Sequence, residues 1–206
     1  MQCVFSSPIL ENIIFSTLNI LTLILLDALL WRAKMRKIAT ICLALSISFL
    51  AFAGGNPELV HIPEGYKTNF TEYDTRNRLN GKQVGVLYGN DIAMQTASDG
   101  KLGDGAIIVM EIYKAVKGED DKFVTDTDGN LEKGKFAAIA VMEKRSNWPD
   151  SYNANERSGD WGFAIYKADG SEKKNDLDCQ SCHTPMPEQD YLFSHASLVE
   201  FANKHH

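Results

Sequence analysis

The chain has 206 residues, 44% of them hydrophobic and 23% charged, and 27 Asp/Glu against 21 Lys/Arg give it a net charge of −6. That length suits one domain with accessory sequence, and the composition is that of a folded chain rather than a disordered or fibrous one. The acidic balance disfavours nucleic acid and anionic membrane surfaces as partners.

Residues 1–34 hold an apolar patch, 13–30, interrupted by Asp27. Met35-Arg36-Lys37 then makes a short basic start, 38–52 is almost wholly apolar, and Ala51-Phe52-Ala53 is a small-x-small cleavage site before Gly54. This is the layout of a secretory signal, and its apolar run is shorter than the ~20 residues of a membrane-spanning helix. A transmembrane hairpin built from the two patches is one reading. The plainer one makes 1–34 an over-long N-terminal extension, 35–53 the signal peptide and 54–206 the domain, periplasmic and without stable membrane insertion. Residues 1–53 carry Arg32, Lys34, Arg36 and Lys37 against Glu11 and Asp27, so 17 basic and 25 acidic residues would remain, a net charge of −8. Cys3 and Cys42 would leave with them, making Cys179 and Cys182 the only thiols.

Residues 54–63 lead into the domain, and Pro63-Glu64-Gly65-Tyr66 is a turn. The stretch 84–88 reads as a strand, and Asn90 or Asp91 caps a short helix through Ala97. Residues 106–113 are apolar on both faces until Glu111, the pattern of a buried central strand. The polar loop 117–135 contains Asp126-Thr127-Asp128-Gly129-Asn130, which resembles a calcium loop but lacks its glycine placement and closing glutamate, so a hairpin turn is expected. Strands follow at 136–143 and 161–167, then a charged stretch, 171–178, and a closing helix at 194–204. The expected fold is α+β, one antiparallel sheet with a few flanking helices.

Between that charged stretch and the closing helix lies Cys179-Gln180-Ser181-Cys182-His183. Two thiols at this spacing with an adjoining imidazole form the attachment pattern of a c-type haem: each sulfur adds to a vinyl group and the histidine meets the iron. Zinc and thioredoxin-like pairs also use Cys-x-x-Cys. Zinc needs a second ligand pair at a convincing spacing, and a thioredoxin-like pair belongs early in a βαβ unit. One covalent haem c is therefore expected. The late motif excludes the small all-helical cytochrome c fold, and the strands exclude a four-helix bundle.

The chain resembles the cytochrome P-460 family, which includes the cytochromes c-prime-beta. The likeness is carried in order by Pro63-Glu64-Gly65-Tyr66, Val86-Leu87-Tyr88-Gly89-Asn90 with Ala93, and Asp104-Gly105. Met142-Glu143-Lys144, Trp161-Gly162-Phe163 and Asn175-Asp176-Leu177 follow, and after the motif comes Asp190-Tyr191-Leu192-Phe193. The resemblance implies a β-sheet haem domain, a homodimer, His183 on the iron and an opposite face that is open or capped by apolar side chains. In hydroxylamine-oxidising members a lysine five residues after the glycine is joined to the porphyrin. Counting from Gly105 reaches Met110, followed by Glu111. Lys114 shares strand parity with Met110 but lies beyond the matched position.

Met110 has three readings: an apolar distal cap, an iron ligand, or an ordinary core methionine. Met186 is too close to His183, because three residues reach only ~10 Å when extended. His61, His195, His205 and His206 read as surface residues. Phe136, Phe163, Trp161 and Tyr88 are candidates for the pocket wall. Glu111, Lys144 and Arg145 would lie near a haem propionate or at a solvated strand end.

The expected function is a periplasmic mono-haem cytochrome that binds a small diatomic ligand such as nitric oxide at a distal iron site. Two alternatives remain open. One is an oxidoreductase on hydroxylamine or nitric oxide, or a weak peroxidase; the other is an electron carrier with His183 and Met110 on the iron, serving a redox partner protein.

Overall fold

The computed structural model describes residues 55–173 and 177–205. The chain divides into Met1–Ala51 and Phe52–His206, and all the described residues lie in the second unit. The proposed extension and signal, with both apolar patches, lie outside the described residues. Among the described residues, no helix is long and apolar enough to cross a membrane.

Five strands form one antiparallel sheet in sequential order: β1 (Thr71–Asn77), β2 (Gln83–Gly89), β3 (Ile107–Ala115), β4 (Lys133–Lys144) and β5 (Trp161–Lys167). Among the described residues four α-helices accompany it: α1 (Tyr66–Asn69), α2 (Asp91–Thr96), α3 (Cys179–His183) and α4 (His195–His205). The α+β class with a single antiparallel sheet is as expected. β1 was not: its sequence, Thr-Glu-Tyr-Asp-Thr-Arg-Asn, is polar and carries no apolar run, unlike β5 at the other edge of the sheet. Only Tyr73 within it is buried.

β3 is the central strand, and its two faces serve different halves of the core. Ile108, Met110 and Ile112 point to one side, where Ile108 joins Leu87, Trp161, Phe163 and helix residues Leu198 and Ala202. Val109 points to the other, with Ile139, Val141, Tyr152 and Tyr166. Burying an aliphatic side chain of this size is worth about 1.5–3 kcal/mol, so burial on both faces holds the sheet against its covers.

Asn90 sets the start of α2. Its side-chain oxygen accepts from the Ala93 and Ile107 amides, both at 3.0 Å, while its amide donates to Gly105 at 2.9 Å. One residue thereby caps the helix and fixes the entry to β3. α4 packs through Leu198 and Ala202, one turn apart, and Arg76 of β1 reaches across to the Phe193 carbonyl (2.9 Å) and Ser197 Oγ (2.6 Å). The 126–130 segment closes as a hairpin: the Asp126 amide bonds the Asn130 carbonyl, and the Asp126 carboxylate takes the Asp128 and Asn130 amides.

Candidate functional site

α3 is a single helical turn made from the motif itself. Asp178 caps it, its carboxylate accepting the Ser181 amide at 3.0 Å and the Ser181 hydroxyl, and those bonds hold its pKa below the usual range. The turn places Cys179 half-buried against the core cluster that includes Trp161, Phe163 and Leu192, and Cys182 exposed; both are free thiols. Burial first, then the neighbouring Asp178 and Cys182, pushes the Cys179 thiol up to about 11. It therefore stays protonated at neutral pH.

His183 is half-buried between two aromatic rings, Phe163 on β5 and Phe193 after the motif, each with its centroid 4.9 Å away. Its Nδ1 lies 2.6 Å from the Tyr191 carbonyl oxygen. A carbonyl only accepts, so Nδ1 carries the proton and Nε2 is left with a lone pair. Burial lowers the imidazole pKa, against the opposing pull of that carbonyl, and keeps the ring neutral, the form that binds a metal.

The carbonyl is delivered by an unusual backbone. Asp190 and Tyr191 both take positive φ, 46° and 62°, after the 3₁₀ turn Pro187–Gln189. Left-handed conformations cost non-glycine residues about 1–2 kcal/mol each, so something must impose them. The Asp190 side chain does. It is buried, pairs with Lys144 Nζ at 2.9 Å through both oxygens, and accepts the Leu102 amide at 2.8 Å.

Met110 lies on the same face of the sheet as Phe163, half-buried, opposite Leu87 on β2 and Ala140 on β4. Its Sδ rests over Gly85, 2.9 Å from where a Cβ would stand there, so glycine is what admits the thioether. Arg78 runs alongside, its Cγ 3.7 Å from the same point. Nothing in the pattern of a polar hairpin tip marked Arg78 out. Its guanidinium donates to Gln83 Oε1 (2.6 Å), has no carboxylate partner among the described residues, and has its pKa lowered by burial.

Several expected neighbours are elsewhere. Tyr88 and Phe136 pack on the opposite face of the sheet, so of the four aromatic candidates only Phe163 and Trp161 share the side of His183. Glu111 is neither solvated nor on this side. It is 2% exposed and receives the hydroxyls of Tyr66 and Tyr113, each at 2.7 Å, with Lys67 Nζ at 2.5 Å. β-Strand alternation explains this: Met110 and Glu111 are consecutive and must point apart. Lys144 is not at a solvated strand end but largely withdrawn from solvent in its pair with Asp190, and Arg145 pairs with Glu143 at 2.6 Å. His61 and His205 are exposed and His195 bonds the Gly100 carbonyl, while His206, like Asn175 and Asp176, lies outside the described residues.

These residues fit a haem. Two free thiols and an imidazole nitrogen with an unused lone pair lie on one helical turn, and the large apolar side chains Leu177 and Phe193, 49% and 44% exposed, flank the motif. Among the described residues, no group of three or more His, Cys, Asp or Glu side chains is placed to hold a bare metal ion. The model of the family described as Cytochrome P460 matches residues 63–194, which spans the sheet, the motif and the Asp190–Tyr191 turn. No curated protein matches the chain.

Proposed function

The chain belongs to the cytochrome P460 family of haem-binding cytochromes, and from that premise we propose that it is an exported mono-haem c-type cytochrome binding nitric oxide or a similar neutral diatomic. A haem iron supplies reversible coordination of such ligands and one-electron chemistry. Cys179 and Cys182 hold the haem through thioether bonds, and His183 Nε2 is the protein's ligand to the iron. The observation that carries the reading is the 2.6 Å contact between His183 Nδ1 and the Tyr191 carbonyl, which leaves the other ring nitrogen committed to nothing else.

Met110 acts as an apolar cap rather than as a second ligand. Its sulfur is laid along the sheet over Gly85, and its cross-strand neighbours Leu87 and Ala140 offer no hydrogen-bond donor. A neutral diatomic needs none, whereas peroxide chemistry asks for a distal base and a polarising cation together. Met110 stands where hydroxylamine-oxidising relatives keep the cross-linking lysine. Lys114 does not replace that amine: it is exposed and four positions further along β3, ~13 Å away at ~3.3 Å per residue. Location in the periplasm and assembly as a homodimer complete the proposal.

The test uses protein matured in a host that attaches c-type haem. The pigment is expected to stay with the denatured chain in acidified organic solvent and to vanish in Cys179→Ala/Cys182→Ala. Ferrous protein is expected to shift its Soret band on adding nitric oxide. Extractable pigment, or a Soret band unmoved by nitric oxide, overturns the proposal. Robust turnover of hydroxylamine would instead establish an oxidoreductase.

A further inference from the structure

We propose that the largely buried Lys144–Asp190 ion pair is a positioning device for the iron-ligating histidine, acting through the Tyr191 carbonyl to set the electron donation of His183. The inference rests on the haem reading above.

The pair is fully occupied by this task. Lys144 Nζ gives its hydrogens to both Asp190 oxygens, at 2.9 Å, and to the Leu102 carbonyl, at 2.7 Å. Asp190 Oδ2 also receives the Leu102 amide. The two side chains are 12% and 4% exposed. A charge pair sealed this far from water is a weak source of net stability, since desolvation offsets most of the attraction. What it does supply is direction: it ties the left-handed Asp190 to the end of β4 and to the loop at Leu102.

From there the connection to His183 is short. Tyr191 follows Asp190 with positive φ, and its amide is held by the Met186 carbonyl at 2.9 Å. Its own carbonyl is thereby aimed at Nδ1. A firm acceptor at Nδ1 gives the imidazole partial anionic character and makes Nε2 a stronger donor to iron, which favours the ferric state. Slackening the turn weakens that acceptor and favours the ferrous state.

Asp190→Asn keeps the side-chain shape and removes the charge. In the holoprotein it is expected to move the ferric/ferrous equilibrium about tenfold toward ferrous, an upward potential shift of about 59 mV for one electron. The iron–histidine stretching frequency of the ferrous protein should fall with it. Lys144→Arg, which keeps the cation, should stay within threefold of the parent. Val60→Ala, a buried truncation on the opposite face of the sheet, provides a variant that is destabilised without a link to His183 and should not shift the potential.

An Asp190→Asn protein that melts earlier but keeps its potential within threefold of the parent makes the pair merely structural and overturns the proposal. If that variant yields no holoprotein because Lys144 is left buried and unpaired, Lys144→Met with Asp190→Leu removes both charges and is read by the same threefold criterion. A parent chain that never carries covalent haem would instead defeat the functional reading, so the two failures are distinguishable.

Discussion

Replacing Glu111 by glutamine is the sharpest test of how the two faces of the sheet are divided. The carboxylate is 2% exposed and anchors α1 to the strand through Tyr66, with Tyr113 on its second oxygen and Lys67 alongside. Hydrogen bonds to a charged group contribute about 1.5–3 kcal/mol each. The Lys67 side chain is 57% exposed, so its pairing adds only about 0–1 kcal/mol. A glutamine keeps one oxygen as acceptor and turns the other position into a donor, so one strong tyrosine bond is lost and the other weakened. The expected cost is about 2–4 kcal/mol, or roughly 5–15 °C in Tm at about 2–4 °C per kcal/mol for a domain of this size. Acid should close the gap. Burial alone would raise the Glu111 pKa, but Lys67, Tyr113 and Tyr66 together hold it below the ordinary value. A carboxyl depressed in the folded state adds stability that is present above its unfolded pKa, about 4.3, and is lost as pH falls through the folded one. Thermal melts followed by circular dichroism between pH 7 and pH 3 should show the two proteins converging below about pH 4.3. A Tm difference under 2 °C at pH 7, or one that persists unchanged into acid, refutes this account. The haem spectrum should be untouched, because Glu111 faces away from His183.

At the alkaline end, burial pushes Tyr113 and Tyr152 up to about 12 and Tyr66, Tyr73 and Tyr88 higher still. Raised folded values contribute stability that is present below the unfolded pKa of about 10 and lost as pH rises past it; urea midpoints should fall steeply between pH 10 and 11.5, and a flat profile would contradict this. In haem-free chain at pH 8, exposed Cys182 should alkylate well ahead of Cys179, of which about one thiol in a thousand is ionised given a value near 11. Peptide mapping of the labelled chain gives the order, and equal rates would show the Cys179 environment to be open. Gly85→Ala should cost about 1–3 kcal/mol by driving a methyl into the Met110 sulfur, with most of that regained in Gly85→Ala/Met110→Ala; additive losses would place the strain elsewhere.

The fold was legible wherever apolar pattern and burial coincide. β2 and β5 are buried along most of their length and β3 and β4 through their middles, and all four announce themselves by Val, Ile, Ala and aromatic runs, while Asn90 caps its helix as its residue type suggests. β1 escaped because its contacts with the rest of the domain are made by Tyr73 and Arg76 rather than by an apolar series. In the site, Cys179, Cys182 and His183 declare themselves through local spacing. What surrounds them does not, because it depends on long-range pairing: Lys144 meets Asp190 across 46 positions, and Glu111 meets Tyr66 across 45. A charge at a strand end reads as solvated until a partner distant in sequence is known. Arg78 was hidden for a different reason: a hairpin tip gives no sign that its arginine folds back along the sheet.

That long-range pairing explains why the site tolerates so polar a scaffold. β3 carries Met110 and Glu111 side by side, and the two-residue period sends the thioether toward the motif face and the carboxylate toward the tyrosines. A slip of one residue would exchange them, burying a charge on the motif face and leaving the hydroxyls of Tyr66 and Tyr113 without their acceptor. Each mistake costs more than one kcal/mol through unsatisfied buried polar groups, so the register is enforced from both sides at once. The Glu111 cluster therefore supports the apolar surface around Met110 without touching it: by penalising every register but one, it keeps the position above Gly85 for a side chain that neither donates nor carries charge.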